Sequence, residues 1–257
     1  MKKFMMIFIV LLVLVGCGKQ EVNTVEAIQK RGELILLTEA TFPPFEYASN
    51  DPSSVDGVNG VDIEFGKALA DKLGVTLKVV DMDFDSLTVA LQAGKGDIVA
   101  AGMTVNPERS NVVDFSNVYF DNGLYIIVNE DSEIESVEDL TNKKIAVQQG
   151  TTGNDFVDKL EDVEVLSFKG MVEAGLAVLN GNADASVMDV LTAQILVHNN
   201  PGLKLLENSV VSEETAIAVQ KGNESLLNEV NLLLSELEES GQLQTWFDDH
   251  FDALLDQ

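Results

Sequence analysis

A single cysteine, Cys17, stands among 257 residues. No internal disulfide can form, so packing alone must hold the fold. Histidine is almost as scarce: His198 and His250 have no Cys or His neighbour at metal-ligand spacing. Both read as surface or helix-end residues, and no metal or cofactor is expected. Basic residues number 16 against 43 acids, for a formal charge of −27. Without a basic patch to offset that charge, nucleic acid and anionic lipid headgroups are excluded as partners. No serine or cysteine sits in the arrangement of a nucleophile with its base. The aspartates of DMD (81–83) and DFDSL (83–87) lack the glycine and terminal glutamate of a calcium loop, and read as a solvated turn with a cap.

What is present begins at residue 2. Lys2 and Lys3 precede an unbroken apolar run, Phe4–Val15, whose 12 residues fall short of the ~20 a helix needs to span a bilayer. A charged start, a short apolar core and small residues before a break read as a secretory signal. Leu14-Val15-Gly16-Cys17 resembles the lipobox of bacterial lipoproteins, which implies cleavage before Cys17 and diacylation of its sulfur. Residues 1–16 are then a leader and 17–25 a tether. Cleavage leaves 241 of the 257 residues and, because the leader carries two lysines and no acid, a charge near −29. Apolar content of 46% supports real cores rather than disorder.

Along the chain, apolar runs and caps alternate. Strands are expected at 33–38, 75–80, 97–101, 124–129 and 144–148. Helices are expected at 63–73, with Asp62 as N-cap, and at 84–93, 154–160, 171–179 and 190–197. One or two long helices should fill 224–251, broken near Gly241, with Trp246, Phe247 and Phe251 on the packing face. The polar stretch 48–59 reads as a surface hairpin or loop. The rhythm is that of an α/β fold with largely parallel strands. An internal echo supports two similar units. ALQAGKGDIVAAG (90–102) and AVLNGNADASVMD (177–189) align at an offset of 87, matching Gly94 to Gly181 and Asp97 to Asp184. Gly102 and Asp189 then fall just past the carboxyl ends of equivalent strands, where open α/β sheets bind ligands.

Four loops carry candidate chemistry. In 101–109 (AGMTVNPER), Thr104 or Asn106 can cap a helix with Pro107 at its first position. Arg109 sits on that first turn, where the dipole opposes a cation, and an anion between them resolves the conflict. The alternative is a surface salt bridge to Glu108 or Asp114. In 149–154 (QGTTGN), Thr151 and Thr152 at a helix start make a small anion or polar site, or ordinary capping chemistry. Asp189 either caps the next helix or accepts hydrogen bonds from an ammonium group. In 38–46 (TEATFPPFE), Phe42 can face a ligand stem, whereas Phe45 reads as core.

Together with NGVDIEFGKALADKLGV (59–75) and NEVNLLLSELEESGQLQTWFDDHF (228–251), these loops resemble the amino-acid-binding receptors of ABC transporters, extracellular solute-binding proteins of family 3. The resemblance implies a two-lobed periplasmic-binding-protein-like fold of type II. Lobe 1 would take 26–121 and 214–257, and lobe 2 would take 122–213. Crossings at Asp121–Leu124 and Val211–Thr215 form the hinge. It implies that Arg109 clamps an α-carboxylate, helped by backbone near Gly102 and Thr104 and by the Thr152 hydroxyl. Asp189 would bind the α-ammonium, and Phe42 would cover the side chain. Glu39 matches a position near the ligand side chain and favours a polar or amino-bearing end. Val61 departs from the aromatic usual in the family's G-[FY]-D motif and puts one face of the aromatic sandwich in question. The implied protein is a monomer, lipid-anchored outside the cytoplasm, delivering a free amino acid to a permease. The rivals are a dehydratase-like enzyme on the same fold, a ligand-sensing module, and a receptor for another zwitterion or anion.

Overall fold

The computed structural model describes residues 23–255, so the apolar leader, Cys17 and most of the tether lie outside the described residues. The first half of the chain forms α1 (Val25–Arg31), β1 (Glu33–Thr38), β2 (Thr41–Phe42), β3 (Glu46–Ala48), β4 (Val58–Asn59), α2 (Val61–Leu73), β5 (Thr76–Asp81), α3 (Leu87–Gln92), β6 (Ile98–Val99), α4 (Pro107–Ser110) and β7 (Val113–Asn129). The second forms β8 (Lys144–Gln148), α5 (Thr152–Val157), β9 (Glu164–Phe168), α6 (Met171–Leu179), β10 (Ala185–Asp189), α7 (Val190–Asn199), β11 (Leu203–Leu205), β12 (Val211–Gln220), α8 (Glu224–Ser240) and α9 (Gln242–Leu255).

One sheet runs β5-β1-β6-β12-β7-β10-β8-β9, with β11 added to β7. At one end β5, β1 and β6 are parallel, and at the other β10, β8 and β9 are parallel. Crossover helices cover such strands, so they are apolar on both faces: Ile145, Ala146 and Val147 of β8 are all buried. Antiparallel β7 and β12 join the two ends. The expected crossings lie side by side in this pair, Glu214 opposite Asp121 and Val211 opposite Leu124. Register shifts around Ala216 interrupt the ladder.

The echo has a structural cause. Gly94 and Gly181 both take positive φ, 67° and 70°. Asp97 accepts the Ile35 N–H at the head of β1, and Asp184 accepts the Lys144 N–H at the head of β8, both at 2.7 Å. Each aspartate braces a neighbouring parallel strand at the same point of its unit.

Several expectations need correction. Asp62 is not an N-cap: α2 starts at Val61 after Gly60, and the Asp62 side chain makes no cap bond. The expected helix at 84–93 is a 3-10 turn, Phe84–Ser86, followed by α3. The helices expected at 154–160 and 190–197 run Thr152–Val157 and Val190–Asn199. The tether ends before Val25, because Asn23 is pinned to Gln220 and Asn223 and Thr24 caps α1. The 124–129 strand is only the end of β7, since Ser116, Asn117, Asp121 and Asn122 break the apolar pattern upstream. His250 is half-buried rather than a surface residue, its Nδ1 2.9 Å from the Tyr47 hydroxyl. Phe247 does pack inward, its ring 5.2 Å from Phe45 and 4.7 Å from Phe120.

Candidate functional site

Two pairs of parallel strands, β1 with β6 and β8 with β10, run toward one place from opposite ends of the sheet. Beyond β1 come Glu39 and Phe42, beyond β6 Gly102 to Arg109, and beyond β8 Gly150 to Thr152, while Asp189 closes β10. Phe42, Gly102, Thr104, Arg109, Thr151, Thr152 and Asp189 line one pocket.

Asn106 caps α4, its Oδ1 accepting the Arg109 N–H at 2.8 Å, with Pro107 at the first helical position. That turn throws the Arg109 fork back onto the strand ends. Its Nη1 donates to the Thr104 carbonyl at 2.8 Å and its Nη2 to the Gly150 carbonyl at 3.0 Å. The guanidinium also lies 5.2 Å over the Phe84 ring. The surface-bridge alternative fails, because Asp114 pairs with Lys221 at 2.6 Å. Among the described residues Arg109 has no carboxylate within ion-pair distance. Burial lowers its pKa, and the more distant Glu213, Asp155 and Asp189 oppose that. A half-buried guanidinium held only by carbonyls and an aromatic face is short of one anion.

Asp189, 6% exposed, lines the same pocket from the end of β10. It does not cap α7 with its side chain. Instead its carboxylate accepts the Asn122 amide. Burial, and then the Glu213 charge, push its pKa well above the usual range, with Asn122 and Arg109 countering. Glu213 also accepts the Thr104 hydroxyl at 2.9 Å and hydrogen-bonds Thr152. It therefore ties the loop after β6 to the start of α5.

Other expected residues take different parts. Thr151 is occupied: its hydroxyl donates to the Gln148 carbonyl at 2.8 Å and accepts the Asn154 N–H, capping α5. The Gly102 N–H is also committed, donating to Asp62 at 2.9 Å, so it cannot also hold a carboxylate. Glu39 lies behind the lining rather than on it. Its oxygens accept from Thr41 Oγ1 at 2.7 Å and from Gln148 Nε2 at 2.8 Å, and burial raises its pKa. Val61 is fully buried in the core, so it takes no aromatic face from the site.

Sequence reasoning missed Phe84, Gln148, Met171, Asn122 and Glu213. Phe84 lines the pocket with Phe42 and supplies a second aromatic. Its position after β5 is a strand-end signal, hidden by the flanking aspartates of DFDSL. Asn122 and Glu213 face each other across the β7–β12 pair, which the sequence pattern did not show. Contacts close the pocket from both sides: Lys169 pairs with Asp83, Met171 N–H donates to Thr41 at 3.0 Å, and Thr192 donates to the Pro43 carbonyl at 2.6 Å. Among the described residues no helix is long and apolar enough to cross a membrane, and no cluster of His, Cys, Asp and Glu could hold a metal.

Residues 34–253 match the bacterial extracellular solute-binding proteins, family 3. The arginine-binding extracellular protein ArtP of Bacillus subtilis is 32% identical, the match covering 96% of this chain and 98% of that one. The substrate-binding protein AbpA of Streptococcus pneumoniae, bound to L-arginine, is 31% identical with a TM-score of 0.84, covering 90% and 100%. An ancestral amino-acid-binding protein described as a precursor of cyclohexadienyl dehydratase is 36% identical with a TM-score of 0.80, covering 88% and 99%. These likenesses carry the two-lobed α/β periplasmic-binding-protein-like fold along with the sequence match.

Proposed function

Since the chain belongs to the bacterial extracellular solute-binding proteins of family 3, we propose that it captures an amino acid between Arg109 and Asp189 and hands it to an ABC transporter. The observation that carries the site is the Arg109 guanidinium, half-buried and without a carboxylate partner among the described residues, in a pocket that Asp189 also lines. A zwitterion supplies the missing anion to one and a cation to the other. Arg109 and Thr152 hold the α-carboxylate, Asp189 holds the α-ammonium, and the side chain runs between Phe42 and Phe84 toward Gln148 and Glu39. The acid behind Gln148 favours a polar or cationic side chain, and L-arginine is the first candidate because relatives are described as binding it.

The lobes are 26–121 with 214–257, and 122–213, hinged at the β7–β12 crossings. Closure follows from contacts that a bridging ligand makes only when the lobes meet. The protein works as a monomer on the outer face of the cell membrane, lipid-anchored through Cys17, with a permease as partner. It is not an enzyme: the pocket's acids serve binding. The dehydratase-like alternative draws on the ancestral neighbour and on Asp189, whose raised pKa suits an acid. Thermal unfolding of residues 18–257 with each common amino acid and cystine decides. Saturation at a thousand times Kd adds about 4 kcal/mol, and each kcal/mol moves the midpoint by roughly 2–4 °C. A large shift with one chemical group of amino acids is expected. No shift with any of them contradicts the reading, and a new product formed from a bound ligand favours the enzyme.

A further inference from the structure

Beneath the pocket floor lie two carboxyl groups that ligand contacts do not use. Glu46 on β3 and Asp62 in the first turn of α2 are both fully buried. Their backbones are locked together. The Asp62 N–H donates to the Phe45 carbonyl at 2.9 Å, and a Cβ on Gly60 would come within 2.2 Å of that same oxygen. The two side chains are treated very differently. Asp62 accepts the Gly102 N–H at 2.9 Å and the Tyr119 hydroxyl at 2.7 Å. It also sits at a helix N-terminus, where positive potential favours an anion. Neither oxygen of Glu46 accepts a bond from any donor. The titratable groups facing Glu46 are Asp62 on α2, Tyr119 on β7, Glu39 after β1 and Asp189 at the end of β10, all acids. A buried carboxylate with no donor in such company is not sustainable, whereas a protonated carboxyl has an O–H to give. Asp62 is close enough to take it.

We propose that Glu46 carries a proton at neutral pH, donates it in a hydrogen bond to the Asp62 carboxylate, and through Asp62 positions Gly102 at the floor of the ligand site. Asp62 Oδ2 holds the Gly102 N–H, and the Phe42 ring fills the space a side chain on Gly102 would need, 2.0 Å from its Cβ position. Gly102 and Phe42 both line the pocket. The proton on Glu46 therefore reaches the ligand contacts through one hydrogen bond and one ring contact. Burial raises both groups, Asp62 to about 6 and Glu46 well above the usual carboxylate range. Between those two steps the pair holds a single proton. When it leaves to solvent at alkaline pH, two carboxylates face each other without water between them, and Asp62 no longer fixes the Gly102 amide.

The proton claim does not rest on the amino-acid reading, and its test needs no ligand. In ligand-free protein, the Gly102 amide resonance is followed against pH in wild type and in Glu46→Gln, which keeps a neutral donor of the same shape. Wild type should show two titration steps and E46Q one. The infrared difference between them at neutral pH should show a protonated-carboxyl carbonyl band present only in wild type. With L-arginine as probe, E46Q should keep its affinity into alkaline pH, where wild type weakens. Identical Gly102 titrations, or no such band, overturn the proposal. Should L-arginine bind neither protein, the ligand reading suffers while the two ligand-free readouts still decide. Should E46Q fail to fold, the wild-type band must vanish together with the second Gly102 step, and independent behaviour overturns the proposal.

Discussion

At the scale of single residues, Arg109 is a cation with no anion beside it among the described residues. It was legible from the sequence as an arginine following Asn106-Pro107. The helix read as opposing its charge is a single turn, Pro107–Ser110, with Arg109 in its last turn, so the missing carboxylate partner and not the dipole is what calls for an anion. The structure adds that two carbonyls hold its fork and that no carboxylate pairs with it among the described residues. Arg109→Ala should remove two charge-assisted bonds of ~1.5–3 kcal/mol each. The loss in affinity is then roughly 100-fold or more. Titration calorimetry measures that loss, and circular dichroism should be unchanged because the side chain bonds only loop carbonyls. Asp62 and Phe84 show what sequence hides. An aspartate before an apolar run fits a cap as well as a buried acceptor, and only the tertiary fold brings Gly102 and Tyr119 to it. Phe84 sits between aspartates that mark a turn, and nothing local says its ring meets Arg109.

At the scale of elements, two threonines in sequence at the start of α5 divide the labour. Thr151 is the cap, and Thr152 faces the pocket and Glu213. Loss of an N-cap costs about 0.5–2 kcal/mol. Thr151→Ala should therefore lower the midpoint of unfolding by a few degrees, at roughly 2–4 °C per kcal/mol, while ligand affinity changes little. Affinity falling as far as in Arg109→Ala would make Thr151 a ligand contact instead. Helices and parallel strands were readable here because each is apolar on a fixed period; β8 and α6 match the expected bounds. The β7–β12 ribbon was not readable, because its middle is polar and is held as a strand only by its partner.

At the scale of the molecule, buried carboxyls crowd the ligand site and the layer beneath it. Glu39, Glu46, Asp62, Asp189 and Glu213 all have raised pKa values with burial as the first cause, as does Asp97 beneath β1. A carboxyl raised in the folded state contributes its full stability below its unfolded value, near 4, and loses it as pH rises through the folded value. For Asp62 that window runs from about 4 to about 6. The lowered carboxyls Asp51, Asp114, Glu138 and Asp139 act only below their unfolded value near 4, outside this comparison, and His250, lowered by burial, opposes the trend below about 6.5. Unfolding free energy from urea titrations should therefore be higher near pH 5 than near pH 8, and self-repulsion at a formal charge of −27 acts in the same direction. A rise from pH 5 to pH 8 would contradict the protonation pattern.

The central claim is that one amino acid bridges Arg109 and Asp189. The most direct measurement is calorimetric titration with the preferred amino acid and with its methyl ester, which keeps the ammonium and side chain but removes the carboxylate charge. The account predicts that the ester binds roughly 100-fold more weakly or not at all, the deficit Arg109→Ala also produces. Equal affinity for acid and ester would contradict it.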